Sequence, residues 1–136
     1  MIGIVLITHG EVGRSMLDVA TRLVSYQPRY IQVVSSCAYD QKKLLKRVKS
    51  AFDSMPDAEG YLVLTDLFGA TPTNITQSFM HCLNIAVITG LNMPMLLKAL
   101  TYHSNEDLSL HEFADKVYEA SKACIVIEEG LDNDRI

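Results

Sequence analysis

The fold is decided by the stretch at the start of the chain, Ile2-Gly3-Ile4-Val5-Leu6-Ile7-Thr8-His9-Gly10. Its apolar part runs without polar alternation, which is typical of a strand buried on both faces of a parallel sheet. Directly after it, Val12, Met16 and Val19 recur at helical spacing and predict a helix. A buried strand that leads straight into a helix opens a strand–helix–strand unit, so the start of the chain favours an α/β fold.

The same alternation of short apolar runs and helical periodicity continues along the chain. Further strands are predicted at residues 30–34, 61–65, 85–89 and, as a short last strand, 124–127. The segments between the first four strands carry helical periodicity. We therefore predict an α/β fold with a mostly parallel, doubly wound sheet and helices on both faces.

Several helix starts carry their own signals. Asp40 is predicted to cap the helix after the second strand, and Ser109 opens a capping box for the last helix. After the third strand, Thr71 as cap and Pro72 in the first turn predict a helix that continues to Met80. These signals fix where the helices begin more firmly than where they end.

Length and composition indicate a single domain. The chain has 136 residues, of which 49% are hydrophobic and 21% charged, and these values argue against disorder. We assign residues 1–130 to one domain and residues 131–136 to an acidic tail. The formal charge of −4 disfavours a nucleic-acid binder. No apolar run approaches the roughly 20 residues of a membrane-spanning helix.

The cysteines and the first apolar run predict the compartment. That run has no basic leader and no small-residue cleavage site, so we do not expect it to be a signal peptide. Cys37, Cys82 and Cys124 are odd in number and far apart, which favours reduced thiols in or near the core over a disulfide framework or zinc site. We therefore expect a cytoplasmic protein with no direct membrane insertion.

Residues able to do chemistry stand where predicted strands end. Ligands of parallel sheets bind beyond the carboxyl ends of the strands, where the strand order reverses. His9 follows the first strand and is either a nucleophile tuned near neutral pH or a side chain that bonds its own loop. Asp66 follows the third strand and either orients the imidazole or caps a helix. Gly69, with the amides ahead of Pro72, either cradles an anion or is a turn residue, and Gly10 is assigned to positioning the same anion.

The other histidines rank lower as functional residues. His81 is expected late in a helix, His103 in a polar loop and His111 inside the capping box. None of them clusters with cysteines or carboxylates at the spacing of a metal site. We therefore expect neither a metal nor another cofactor.

Three longer motifs each follow a predicted strand. They are Thr8-His9-Gly10, then Asp66-Leu67-Phe68-Gly69-Ala70-Thr71-Pro72-Thr73-Asn74, then Gly90-Leu91-Asn92-Met93-Pro94-Met95-Leu96. Together they resemble the mannose family of phosphotransferase-system enzyme IIA domains, and the resemblance covers nearly the whole chain. That family often has an aromatic-Gly-Gly-Ser-Pro loop, where this chain has Ala70 and Thr71. Thr71 keeps the hydroxyl group of the serine.

The resemblance implies a component of the sugar phosphotransferase system. His9 would accept a phosphoryl group on Nε2 from the histidine-containing phosphocarrier protein and pass it to a IIB domain of a sugar permease. Asp66 would hold the other ring nitrogen, and Thr71 would help to position the phosphoryl oxygens. The family also implies a homodimer in which the last strand, around residues 124–127, pairs with the other subunit.

Other functions stay open at this stage. A stand-alone IIA protein can instead be a regulator that reports phosphoenolpyruvate status by its own phosphorylation. A histidine phosphatase or mutase also places its nucleophile after the first strand, but it needs an arginine where this chain has Thr8. A small metal chelatase needs a second metal-binding histidine or an acidic cluster. A non-catalytic binding module requires His9 to be structural.

Overall fold

Parallel strands alternate with helices along the first half of the described chain, and two consecutive helices follow the last strand. The computed structural model describes residues 1–25, 28–36, 40–67, 74 and 76–130. Its elements are β1 Ile2–Thr8, α1 Val12–Val24, β2 Ile31–Ser35, α2 Gln41–Asp53, β3 Gly60–Thr65, β4 Ile85–Thr89, α3 Met93–Tyr102 and α4 Leu110–Ala123. The first four predicted strands are confirmed, whereas the predicted acidic tail lies outside the described residues.

The four strands form one parallel sheet in the order β2-β1-β3-β4. β1 is central, and it pairs with β2 through Thr8 opposite Ser35 and with β3 through Ile7 opposite Thr65. From β1 the chain goes first to β2 on one side and then to β3 on the other. The strand order therefore reverses between β1 and β3, and a ligand site is expected there.

Helices cover both faces of this sheet, as predicted. On one face, α1, α3 and α4 pack on β1 and β3 through a buried cluster that includes Leu6, Leu17, Leu64, Leu96 and Phe113. On the other face, α2 packs on the alternate residues of the same strands through Val5, Ile7, Val48, Phe52 and Val63. β1 is thus buried on both faces, which explains why its sequence shows no polar alternation.

The predicted helix caps at Asp40 and Ser109 are confirmed. The Asp40 carboxylate accepts a hydrogen bond from the Lys43 N–H at 2.8 Å. Ser109 and Glu112 form the reciprocal capping box at the start of α4. α3 is capped in the same way by Asn92, whose side-chain oxygen accepts from the Met95 N–H at 2.9 Å.

The helix predicted after β3 does not continue to Met80. Residues 76 and 77 are helical, but residues 78–83 form turns, so His81 is not in a helix. The Phe79 N–H bonds to the carbonyl of Thr76, a tighter three-residue step, and the chain then returns to start β4. Thr71 and Pro72, which predicted the start of that helix, lie outside the described residues.

The C-terminal segment is not a strand within this chain. α4 ends at Ala123, and the described residues that follow it carry no secondary structure. Ile125, Val126 and Ile127 are 74%, 71% and 85% exposed. The prediction was wrong for the single chain because β4 is the last strand of its sheet and this segment does not pair with it. Its pairing with a second subunit stays a prediction.

The predicted burial of the cysteines is also wrong for the two that the structure describes. Cys82 and Cys124 are both free and exposed. Cys82 lies in the turns before β4, and Cys124 follows the last residue of α4, so neither faces a packed layer. Cys37 lies outside the described residues. Among the described residues, no helix is both long and apolar enough to cross a membrane.

Candidate functional site

His9 and Asp66 lie side by side at the carboxyl edge of the sheet. His9 directly follows β1, and Asp66 directly follows β3. Because these two strands are hydrogen-bonded neighbours, the residues that follow them leave the sheet next to each other. This is also the point where the strand order reverses, so the topology brings the two predicted site residues together at the expected place.

The Asp66 carboxylate holds His9 through both its backbone and its ring. The His9 N–H donates to Oδ2 at 3.0 Å, and ring Nδ1 lies 3.1 Å from Oδ2 and 3.2 Å from Oδ1. An ionised carboxylate can only accept hydrogen bonds, so the Nδ1 atom must carry the proton. The Nε2 atom of the neutral ring is then left with a lone pair, which makes it the nucleophilic atom of the site.

The electrostatics of Asp66 keep its carboxylate ionised. Burial raises its pKa, but the hydrogen bonds from the His9 N–H and ring, the charge of a protonated His9 ring and the Leu67 N–H outweigh this, so the pKa of Asp66 is lowered. The Leu67 N–H donates to Oδ1 at 2.9 Å. The Asp66 side chain is 15% exposed, whereas that of His9 is 51% exposed. The Asp66 carboxylate is therefore sheltered, while the His9 ring is accessible to another molecule.

Gly10 supplies the turn between β1 and α1. Its φ is +49°, a left-handed conformation that favours glycine, and an added Cβ would meet no atom within 4 Å. The Val12 N–H then closes the turn by bonding to the His9 carbonyl at 3.1 Å. The structure therefore gives Gly10 a conformational reason to be next to His9, and its contact with an anion stays a prediction.

The third sequence motif is tied to the site through the end of β3. The N–H groups of Gly90 and Leu91 both donate to the carbonyl of Thr65 at 2.9 Å, directly before Asp66. In the same loop the Asn92 amide nitrogen donates to the carbonyl of Ser121 on α4. Gly69 and Thr71, the remaining predicted site residues, lie outside the described part of the chain, so their roles stay predictions.

Sequence reasoning missed the residues that support His9 from the other side. Thr8 is fully buried, its hydroxyl accepts from the Gly13 N–H at 2.8 Å, and its carbonyl accepts from the Ser36 N–H at 2.8 Å. The available signal was the pairing of a strand-terminal threonine with a glycine five residues later, in the first turn of the helix. Neither residue carries a reactive group, so a search of the sequence for reactive side chains does not find this pattern.

The other functional alternatives lack features among the described residues. A metal site needs several ligands, and the described residues contain no group of three or more His, Cys, Asp or Glu side chains that could hold an ion. The phosphatase or mutase alternative needs cationic groups beside the histidine. The described parts of the loops that follow β1, β2, β3 and β4 contain no Lys or Arg.

Comparison with known proteins identifies the family. The family model EIIA-man, described as PTS system fructose IIA component, matches residues 3–118. The PTS system fructose-specific EIIA component of Bacillus subtilis (strain 168) is 24% identical over 123 residues, which cover 90% of this chain and 83% of that protein. The match to the family model runs from β1 into α4 and includes both His9 and Asp66.

Solved structures agree with this result. Phosphotransferase system component EIIA from Streptococcus agalactiae has a TM-score of 0.81 and 26% identity, over 93% of this chain and 97% of that one. The mannose/sorbose-specific IIA subunit from Enterococcus faecalis shares the fold with a TM-score of 0.77 at 21% identity, over 96% and 97% of the two chains. With the family model matching most of its length, the chain belongs to the mannose-type IIA components of the sugar phosphotransferase system.

Proposed function

We propose that this IIA component is a cytoplasmic phosphoryl carrier that works through His9. It takes the phosphoryl group from the histidine-containing phosphocarrier protein and passes it to a IIB domain of a sugar permease. The observation that carries the proposal is the contact of Asp66 with both the N–H and the Nδ1 atom of His9. This contact leaves Nε2 as the attacking atom on an accessible ring.

The transfer step follows from this arrangement. The lone pair of His9 Nε2 attacks the phosphorus of the donor's phosphohistidine, a new P–Nε2 bond forms, and the donor's P–N bond breaks. The bonding electron pair returns to the donor ring, which is protonated on its other nitrogen and therefore leaves as neutral imidazole. His9 keeps the proton on Nδ1 and becomes a phosphorylated imidazolium, whose positive charge lies against the Asp66 carboxylate. Such transfers depend mainly on in-line positioning and charge stabilisation.

The second step passes the phosphoryl group from His9 to the accepting domain and uses the same contacts. A histidine or cysteine nucleophile of the accepting domain would attack the phosphorus, and the P–Nε2 electron pair would return to the His9 ring as leaving group. Asp66 keeps the Nδ1 proton in place throughout, so the ring leaves as the same neutral tautomer that accepted the group. The His9 side chain is half-exposed, as both partner proteins require.

Phosphorylation with purified components tests this proposal. Phosphoenolpyruvate, enzyme I and the phosphocarrier protein should add one phosphoryl group to the intact chain, and peptide mapping should place it on His9. The variant H9Q should take up none, and H111Q is the matched control because His111 is exposed on α4. An unlabelled wild-type protein, with enzyme I and the carrier shown to be active, would refute the carrier function. Label that persists on H9Q would refute the assignment of His9.

We also propose that the chain forms a homodimer through residues 124–127. Three consecutive apolar side chains are exposed there, and β4 leaves one side of the sheet open for another strand. Analytical ultracentrifugation should find a dimer at micromolar concentration, and V126D should be a monomer. The matched control is L23D, which places the same charge at an exposed leucine of α1 and should remain a dimer. A monomeric wild-type protein would contradict the proposal.

A further inference from the structure

Thr8, the residue directly before His9, is held at its backbone by β2. It is fully buried. Its carbonyl oxygen accepts a hydrogen bond from the Ser36 N–H at 2.8 Å and a second from the Ser36 hydroxyl at 3.2 Å. Both lone pairs of this carbonyl are therefore in use, and the end of β1 is fixed against the residue that follows β2.

The Thr8 side chain makes a separate contact with α1. Its hydroxyl oxygen accepts the Gly13 N–H at 2.8 Å. A Cβ on residue 13 would lie 2.5 Å from that oxygen and 3.2 Å from Cγ1 of Val33, so the contact needs glycine at this position. The first turn of α1 thereby sits directly on the ends of β1 and β2.

This contact replaces the usual helix cap. α2, α3 and α4 are each capped by the side chain of their own N-cap residue, namely Asp40, Asn92 and Ser109. The N-cap residue of α1 is Glu11, and its side chain caps nothing. The Thr8 hydroxyl instead satisfies an N–H of the first turn from inside the strand, five residues earlier in the chain. In the sequence, His9 lies between Thr8 and Gly13, the two residues that this hydrogen bond joins.

We propose that Thr8 is a positioning residue for phosphoryl transfer, and that its hydroxyl fixes the height and direction of the His9 ring against Asp66. The proposal rests on the function proposed above for His9. Three elements then hold the reactive residue: β2 through the Thr8 carbonyl, α1 through the Thr8 hydroxyl and β3 through Asp66. Without the hydroxyl, Gly13 loses its acceptor, the first turn of α1 shifts, and the Nε2 atom leaves the line of attack.

The variants T8V and T8S separate the hydroxyl from the shape of the side chain. Valine keeps the branched shape and removes the acceptor, whereas serine keeps the acceptor. With the phosphocarrier protein as donor, T8V should lower the maximal phosphorylation rate about tenfold to a hundredfold, because small displacements of a reacting group have effects of this size. KM for the donor should stay unchanged, and T8S should restore the rate. T101V is the matched control, since Thr101 is exposed on α3 and away from this edge.

A nuclear magnetic resonance measurement tests the same inference without phosphate. The ¹⁵N shifts of the His9 imidazole should report the Nδ1-protonated form in the wild-type protein and a mixture of tautomers in T8V. If the wild-type chain is never phosphorylated, the carrier function fails while this measurement still decides the role of Thr8. A wild-type rate and an unchanged tautomer in T8V would overturn the proposal, and so would a T8S variant as slow as T8V.

A second variant applies if T8V does not fold. G13A keeps the Thr8 hydroxyl but forces it aside, because the new Cβ would lie 2.5 Å from it. It should show the same loss of maximal rate with unchanged KM for the donor. A folded G13A protein that is phosphorylated at the wild-type rate would overturn the proposal.

Discussion

Two histidines mark the opposite ends of β1, and their surroundings differ in almost every respect. His9 follows the carboxyl end of the strand, is half-exposed and contacts the carboxylate of Asp66. His103 lies at the amino end and is buried, and its Nδ1 atom is 3.1 Å from the carbonyl of Ile2. The Ile2 N–H returns a bond to the His103 carbonyl at 2.9 Å. One histidine is therefore open to solvent, and the other fastens the first strand to the end of α3.

This difference shows that the group bonded to an imidazole ring, more than the residue type, determines the role of the ring. A carboxylate stabilises a ring that becomes positively charged during a reaction. Burial lowers the pKa of His103, the bond to the Ile2 carbonyl opposes this, and the nearby N-terminal ammonium lowers it further. The net effect keeps His103 neutral, so it serves as a hydrogen-bond donor in the structure.

The largest effect is expected when the carboxylate charge beside His9 is removed. In D66N the carboxamide can donate to Nδ1, which favours protonation of Nε2 and blocks the attacking lone pair. The phosphorylation rate at saturating donor should fall by at least about a hundredfold, because the ring must first change tautomer. Stopped reactions analysed by intact mass would measure it.

The matched control for D66N is D53N. Asp53 is an exposed carboxylate at the end of α2 that pairs with Lys49 on the same helix, and it precedes the start of β3, whereas Asp66 follows the end of that strand. Its substitution should leave the phosphorylation rate unchanged. Equal rates for D66N and the wild-type protein would remove the orienting role of Asp66.

The second prediction concerns the removal of the buried His103 side chain. H103A leaves the Ile2 carbonyl without its side-chain donor and opens space beside β1. We expect the free energy of unfolding to fall by about 1–3 kcal/mol, the usual effect of leaving a buried polar group unpaired. Urea denaturation above pH 7 measures this change, and phosphorylation of the folded variant should proceed at the wild-type rate.

H111A is the control for H103A. His111 is 86% exposed, so its removal should change the stability by less than about 0.5 kcal/mol. If H103A and H111A were equally stable, the proposed fastening of β1 by His103 would be wrong.

The third and smallest effect is the pH dependence that His103 gives to the free energy of unfolding. The pKa of His103 is lower in the folded chain than in the unfolded chain, so the unfolded chain binds more protons as the pH falls below about 6.5. His103 should therefore make the protein less stable on going from about pH 7 to pH 5, by at most about 1.4 kcal/mol per pH unit. The free energy of unfolding, measured by denaturation at several pH values in this range, should fall more steeply with decreasing pH for the wild-type protein than for H103A. Equal pH dependence of the free energy of unfolding in the two proteins would contradict the prediction.

Much of the fold was predictable from the sequence because it depends on local patterns. The apolar run before Thr8 gave β1, and the caps at Asp40 and Ser109 gave the starts of α2 and α4. The contact between His9 and Asp66 was predictable as well, since both directly follow strands of one parallel sheet. Each of these residues directly adjoins a strand or helix whose sequence pattern is local, and for His9 and Asp66 the parallel sheet supplies the rest.

What could not be predicted depends on contacts between distant parts of the chain. His103 stands after α3 in a polar stretch, and its burial comes from Ile2, which is 101 residues away. The role of Thr8 depends on the close approach of α1 to β2 at Val33. The segment 124–127 has the composition of a strand, but a strand forms only where another strand offers its edge. Local patterns contain none of this information.

The distance along the chain between His9 and Asp66 has a consequence for the order of events in the cell. The two residues are 57 positions apart, with α1, β2, α2 and β3 between them. A chain that is still being synthesised exposes His9 early, but it gains a reactive imidazole only after β3 has been made and has paired with β1. On the proposed function, competence for phosphorylation therefore arrives together with the native sheet. The amount of phosphoryl label on His9 would then be proportional to the number of folded molecules. An incomplete chain would not accept a phosphoryl group from the donor.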